Sequence, residues 1–134
     1  FIGLFVAFFS LKSHWNVSYD LESPAWLGMC IALVAFTPAA VDTLTVVINR
    51  LKRGQSPMVG GKDHTTHHLV YAGLSDRKVW YVFLIIGAIA CLLSVAMVNL
   101  VKLDTDLPVV FFISYFIFVF ILLYRNTIKY KAPK

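Results

Sequence analysis

The stretch 79-VWYVFLIIGAIACLLSVAMVNLV-101 decides the fold. It reaches the ~20 residues that a helix needs to cross a bilayer. Backbone groups in hydrocarbon must satisfy one another, so such a run is read as a spanning α-helix. Residues 107–124 form a second run of this kind. A third covers 24–48 and is interrupted by Pro38 and Asp42. Residues 1–11 are apolar but too short to cross. They start with Phe and lack a basic n-region, so they read as the end of a span and not as a signal peptide. Composition agrees: 59% of residues are hydrophobic and the mean hydropathy is +0.76, against about 45–50% apolar in soluble domains. The expected fold is all-α and polytopic. It has three full spans, the end of a fourth and a short cytoplasmic helix, within one domain over 1–134. The chain reads as the C-terminal portion of something larger, whose N-terminal helices would be its partners.

The formal charge of +5 is informative by location and is not a nucleic-acid signal. Arg50, Lys52, Arg53, Lys62, Arg77 and Lys78 fall in 49–78, and Arg125, Lys129, Lys131 and Lys134 in the tail 125–134. The other connections hold Lys12, Asp20 and Glu22, then Lys102, Asp104 and Asp106. Basic and acidic connections alternate, as four crossings require. The positive-inside rule makes 49–78 and the tail cytoplasmic, and 12–23 and 102–106 external. Trp15, Tyr19 and Trp26 on one side, with Trp80, Tyr81 and Tyr124 on the other, fit aromatic belts. Cys30 and Cys91 lie inside apolar runs and read as packed or lipid-facing thiols.

Between the second and third spanning runs stands 60-GGKDHTTHHL-69. Asp63 is a helix N-cap candidate, and Gly73 suits the helix end. His64, His67 and His68 then fall at i, i+3 and i+4 on one helix face. A helix start with imidazoles and Lys62 beside it suits an anion such as phosphate. Two other readings compete. His64 and His68 have a zinc-chelating spacing, although Thr65 stands where a zinc protease carries Glu. Alternatively the loop is a basic connector that only fixes topology. Upstream, Pro38 is expected to kink its helix. Asp42, Thr45, Asn49 and Arg53 then share one polar face, and Leu44, Val47, Ile48 and Leu51 share an apolar one. Asp42 inside a spanning run is a functional candidate, with a hydrogen bond to a neighbouring helix as the plain alternative. Gly54-Gln55-Ser56-Pro57 has turn chemistry throughout. Ser75 is a good N-cap for the next helix, with Leu74 and Val79 as a staple.

These residues resemble a known family. Pro38-Ala39-Ala40-Val41-Asp42-Thr43, then Arg50, Gly54, Ser56-Pro57, Asp63-His64-Thr65-Thr66-His67-His68-Leu69 and Gly73-Leu74-Ser75 are similar to the polyprenyl-phosphate N-acetylhexosamine-1-phosphate transferases. The resembling branch is the bacterial one that starts O-antigen, enterobacterial common antigen or teichoic acid linkage units. The resemblance implies a reaction in the bacterial inner membrane. Undecaprenyl phosphate attacks the β-phosphorus of a UDP-N-acetylhexosamine, UMP leaves, and a polyprenyl-diphospho-sugar remains. It implies Mg²⁺ held by carboxylates that precede Phe1, so no metal ligand or catalytic residue is expected within this chain. The chain alone is expected to be inactive. It also ties His64, His67 and His68 to nucleotide-sugar binding; Lys62, Asp63 and Arg50 are expected to bind substrate with them, and Asp42 is polar and unassigned. Met58 departs from the Phe that often follows Ser-Pro there. The rival is a small non-enzymatic membrane protein, either a transporter subunit or a metal-binding module.

The charge pattern generates the first prediction. Single cysteines at positions 66 and 104, in a Cys-free background, are probed on intact cells with an impermeant thiol reagent. Position 104 should label and position 66 should not; the opposite pattern overturns the orientation.

Overall fold

Four helices with defined bounds follow from this patterning. In the computed structural model, which describes residues 8, 11, 12, 15, 25–58, 60–101 and 107–131, they are α1 (Ala25–Lys52), α2 (Thr65–Tyr71), α3 (Asp76–Val101) and α4 (Leu107–Lys129). No strand occurs among the described residues. The expectations for 1–11 (Phe8 and Leu11 aside), for Asp20, Glu22, Lys102, Asp104 and Asp106, and for Lys134 lie outside the described residues.

α1, α3 and α4 are each long and apolar enough to cross a membrane. The chain is a multi-pass, all-helical membrane protein. Two helices extend past their apolar runs. α1 is unbroken through Pro38 and continues beyond residue 48 to Lys52, with Arg50 and Lys52 in its last turn. α4 continues beyond residue 124 to Lys129. Cations in a last turn face the negative end of the helix dipole, which favours both extensions.

The chain divides into two compact units. One contains Ala88–Phe116 together with α1 up to Phe36. Its buried side chains include Leu27, Ile31, Val34, Ala90 and Met97, all apolar. The other is Thr37–Gly87 with Ile117–Lys134. It buries Val41, Val46, Leu69, Val79, Ile86, Val119 and Leu123. It also holds the buried polar side chains Thr37, Thr45, Arg50, Thr65, His68 and Thr127. A buried polar group needs a partner, and in hydrocarbon it needs one from the protein. The polar unit is therefore where a built site is to be sought. Leu84, Ile85, Leu92, Val95, Ile117, Phe118 and Ile121 remain exposed. In spanning helices this is the surface that meets lipid tails.

Two glycines end helices in the same way. Gly54 has φ +67° and Gly73 has φ +93°. After α1, the Gly54 N–H donates to the Leu51 carbonyl (3.0 Å) and the Gln55 N–H to the Arg50 carbonyl (2.9 Å). After α2, the Gly73 N–H donates to Val70 (2.8 Å) and the Leu74 N–H to Leu69 (3.2 Å). Both pairs are Schellman closures, which satisfy the last carbonyls and need a left-handed residue. α3 then starts directly after Ser75, whose carbonyl accepts from the Val79 N–H at 3.0 Å. The polar loop is thus stopped and restarted within a few residues at each end.

Gly54→Ala and Gly73→Ala should each lower stability by about 1–2 kcal/mol, the cost of a Cβ in the left-handed region. Gly60→Ala should be nearly silent, because open space surrounds its Cβ position. Thermal unfolding in detergent checks all three; equal melting of the Gly54 and Gly60 variants refutes the assignment.

Candidate functional site

The site is built from the end of α1 outward. Arg50 is buried there, with its side chain 7% exposed. Its Nε donates to Asp63 Oδ2 at 2.7 Å and its Nη2 to Asp63 Oδ1 at 2.5 Å. Nη1 donates to the Pro57 carbonyl at 3.1 Å. The two parallel bonds make the fork-to-fork geometry that suits guanidinium and carboxylate. Arg53 adds a third donor, Nη2 to Asp63 Oδ2 at 3.0 Å. Hydrogen bonds from Arg50, helped by the charges of both arginines and opposed by burial, hold the Asp63 carboxyl down at about 2. Gly61 passes beside this pair: a Cβ there would lie 2.8 Å from Arg50 Nη2 and 2.9 Å from Asp63 Oδ1. A side chain at that position would push into the clamp.

The clamp corrects the expectation that Asp63 caps α2. The N-cap position is His64, and no side chain of its own provides the cap. Asp63 is turned toward the arginines. The capping carboxylate comes from Asp42 on α1. Asp42 Oδ1 accepts from the Thr65 N–H at 2.7 Å and from Thr65 Oγ1 at 2.6 Å. Asp42 Oδ2 accepts from His64 Nδ1–H at 2.7 Å. An ionised carboxylate only accepts, so this bond assigns the proton to Nδ1. The first N–H of α2 is thereby already used by Asp42.

The three histidines do not act as one face. His64 is half exposed and tied to Asp42. The His67 ring stacks on Tyr71, with centroids 6.5 Å apart at 22°. His68 is buried, and its Nδ1–H donates to the Tyr130 carbonyl at 2.5 Å. The Nδ1 atoms of His64 and His68 thus serve different partners on different elements. Among the described residues, no group of three or more His, Cys, Asp or Glu is arranged to hold a metal ion.

α1 also binds the last helix. Asn49 Nδ2 donates to Thr127 Oγ1 at 2.9 Å, and Thr127 Oγ1 donates to the Tyr124 carbonyl at 2.8 Å. Lys52 Nζ donates to Tyr124 Oη at 2.7 Å and sits 5.3 Å from that ring's centroid. These contacts close a cavity of about 520 Å³. Lys52, Arg53, Lys62 and Lys131 line it with Asp63 and His68. Asn49, Tyr124, Thr127 and Ile128 complete its wall. Of the sequence-predicted binding residues, Lys62, Asp63 and His68 reach this cavity. Arg50 supports it through Asp63, while His64, His67 and Asp42 do not line it. Sequence reasoning did not select Asn49, Lys52, Arg53, Tyr124, Thr127 and Lys131 as site residues. Asn49 and Arg53 had a signal, since they share a helical face with Asp42. The contribution of α4 had none, because it comes from 72 to 78 residues away.

Fold and site together define a multi-pass helical membrane protein with a cationic, anion-compatible cavity at the polar end of its helices. The chain is 36% identical over 73 residues to the decaprenyl-phosphate N-acetylglucosaminephosphotransferase of Mycolicibacterium smegmatis (strain ATCC 700084 / mc(2)155). That match covers 54% of this chain and 17% of the relative, so the chain spans only a small part of the protein it resembles. No protein-family model and no solved structure matches the chain.

The Asp63 clamp has a definite pH signature. A carboxylate whose pKa is lowered on folding contributes stability above its unfolded value of ~3.9, and loses it as pH falls through the folded value. At neutral pH, Asp63→Asn should cost about 1–2 kcal/mol, the lowering of the carboxyl reduced by solvent screening of the pair. The gap between wild type and variant should hold down to about pH 5 and close between about pH 4 and pH 2. Denaturation across pH in detergent measures it; a gap that persists unchanged at pH 2 refutes the clamp.

Proposed function

We propose that this chain forms the histidine-loop portion of a membrane glycosyl-1-phosphate transferase. The intact protein would move N-acetylhexosamine-1-phosphate from a UDP-sugar to undecaprenyl phosphate, with release of UMP. The observation that carries this reading is the cationic cavity formed where the loop folds back on α1, within a chain similar to a polyprenyl-phosphate sugar phosphotransferase. Phosphoryl transfer depends mainly on positioning and charge neutralisation. Lys62 and His68 border the cavity, and the Arg50–Asp63 clamp fixes the loop that carries them. A lipid acceptor and a soluble sugar nucleotide must meet at a membrane surface. The basic loop and tail support a cytoplasmic side for that surface; a bacterial inner membrane and a cell-envelope polymer pathway belong to the same proposal.

Magnesium belongs to this proposal, but Asp42 and Asp63 do not fit it. Asp42 accepts three hydrogen bonds from His64 and Thr65, and Asp63 is taken by Arg50 and Arg53. Neither carboxylate is left open to a hard cation that needs oxygen ligands. We place the magnesium ligands outside this chain, and the 134-residue chain by itself is then inactive.

The test is UMP release from UDP-N-acetylglucosamine with undecaprenyl phosphate and Mg²⁺, using the intact protein. His68→Ala should lower kcat/KM by about 10- to 100-fold, the equivalent of one charge-assisted hydrogen bond. It should also cost some stability, since the ring is packed and bonded to Tyr130. Lys62→Gln should raise KM with normal folding. Absence of UMP release, or normal kinetics in both variants, refutes the proposal.

A further inference from the structure

We propose that the end of α4 and the residues just after it form a phosphate-recognising wall of the cavity, with Lys131 and Lys52 as the residues that seat a diphosphate ester. In the sequence, no expected site residue falls on this last helix or its tail. The cavity shows otherwise, because Tyr124, Thr127, Ile128 and Lys131 all border it.

The argument is one of charge left over. Asp63 is the single carboxylate among the lining residues, and Arg50 and Arg53 already occupy it. Lys52 is held by a neutral group, the Tyr124 hydroxyl, at the ring edge. This orients the cation without neutralising it. Lys131 and Lys62 add two more positive charges with no carboxylate of the lining assigned to either. The neutral polar groups of the wall are spent on each other, since Asn49 donates to Thr127 and Thr127 to the Tyr124 carbonyl. A ligand is therefore selected by negative charge, and a phosphate group carries roughly −1.5 to −2 at neutral pH. A cavity of about 520 Å³ is within the small-molecule range. The shared chemistry is a phosphate ester, whether on a nucleotide diphosphate or on a lipid phosphate. Only the naming of that ester as the UDP-sugar or its acceptor rests on the proposed function.

The experiment uses the intact protein carrying this chain, in nanodiscs of zwitterionic lipid. The probe is labelled inorganic pyrophosphate. Lys131→Gln and Lys52→Gln should each weaken its binding by about tenfold, the loss of one charged contact. Lys131→Arg should retain binding. Lys129→Gln, an exposed lysine beside the Tyr130 ring and outside the cavity, should leave it unchanged. Displacement of pyrophosphate by UDP identifies a nucleotide source, and displacement by undecaprenyl phosphate in the nanodisc identifies a lipid source. Failure of both to compete, absence of pyrophosphate binding, or equal binding by Lys131→Gln and wild type overturns the proposal. The two readings separate cleanly. Binding that Lys131→Gln weakens, in a protein that releases no UMP, sinks the transferase and keeps the wall. UMP release with unaltered KM and kcat in Lys131→Gln and Lys52→Gln sinks the wall and keeps the transferase.

Discussion

The polar end of this protein depends on one buried ion pair. Arg50 sits in the last turn of α1, where leaving a guanidinium without partners would be costly. Its rigid fork meets Asp63 with two parallel bonds, and its remaining terminal nitrogen reaches the Pro57 carbonyl. One side chain thus fastens both the start and the middle of the loop. Arg53 shares the same carboxylate from the solvent side. The pair requires backbone to pass close by, and Gly61 supplies that passage. Gly60, with open space around it, is not under the same constraint.

Once the loop is fastened, the next contacts follow over a short distance of chain. His64 and Thr65 arrive at Asp42, whose carboxylate takes three donors. A carboxylate inside a spanning helix is expensive unless it is hydrogen-bonded. Thr65 is also fully buried, and its hydroxyl would otherwise be an unmet cost. Each group therefore resolves the other's burial. The same logic extends to His68, whose ring meets the Tyr130 carbonyl just beyond α4. α2 is held between α1 and the chain end of α4 by polar bonds, in a unit where the buried polar side chains are gathered.

These commitments shape what the site can do. Asp63 in the loop and Asp42 on α1 are both occupied by donors, so the charge the loop leaves open is positive. The lysines around the cavity face no such neutralisation from its lining. A surplus of cations beside apolar helices suits an anion, since low dielectric strengthens each charge. The similarity to a polyprenyl-phosphate sugar phosphotransferase covers a small share of that protein.

The sequence by itself determined the helices. Residues 79–101 and 107–124 have no alternative in hydrocarbon, because only a helix satisfies its backbone from within. Gly54, Gly73 and Ser75 marked the helix ends, because left-handed closure and capping are local geometry. His68, Asp63 and Lys62, which line the cavity, were picked out by their clustering. The roles within the cluster were not. Local spacing pointed to Asp63 as the cap of α2, but a cap needs only a carboxylate in the right place, and Asp42 reaches it from 23 residues earlier. The stronger claim on Asp63 came from Arg50, a charge that local reasoning cannot weigh. The wall supplied by Tyr124, Thr127 and Lys131 was decided by tertiary structure alone. Their sequence reads as an apolar span with a basic tail, and the α1 residues that Tyr124 and Thr127 meet lie dozens of residues away.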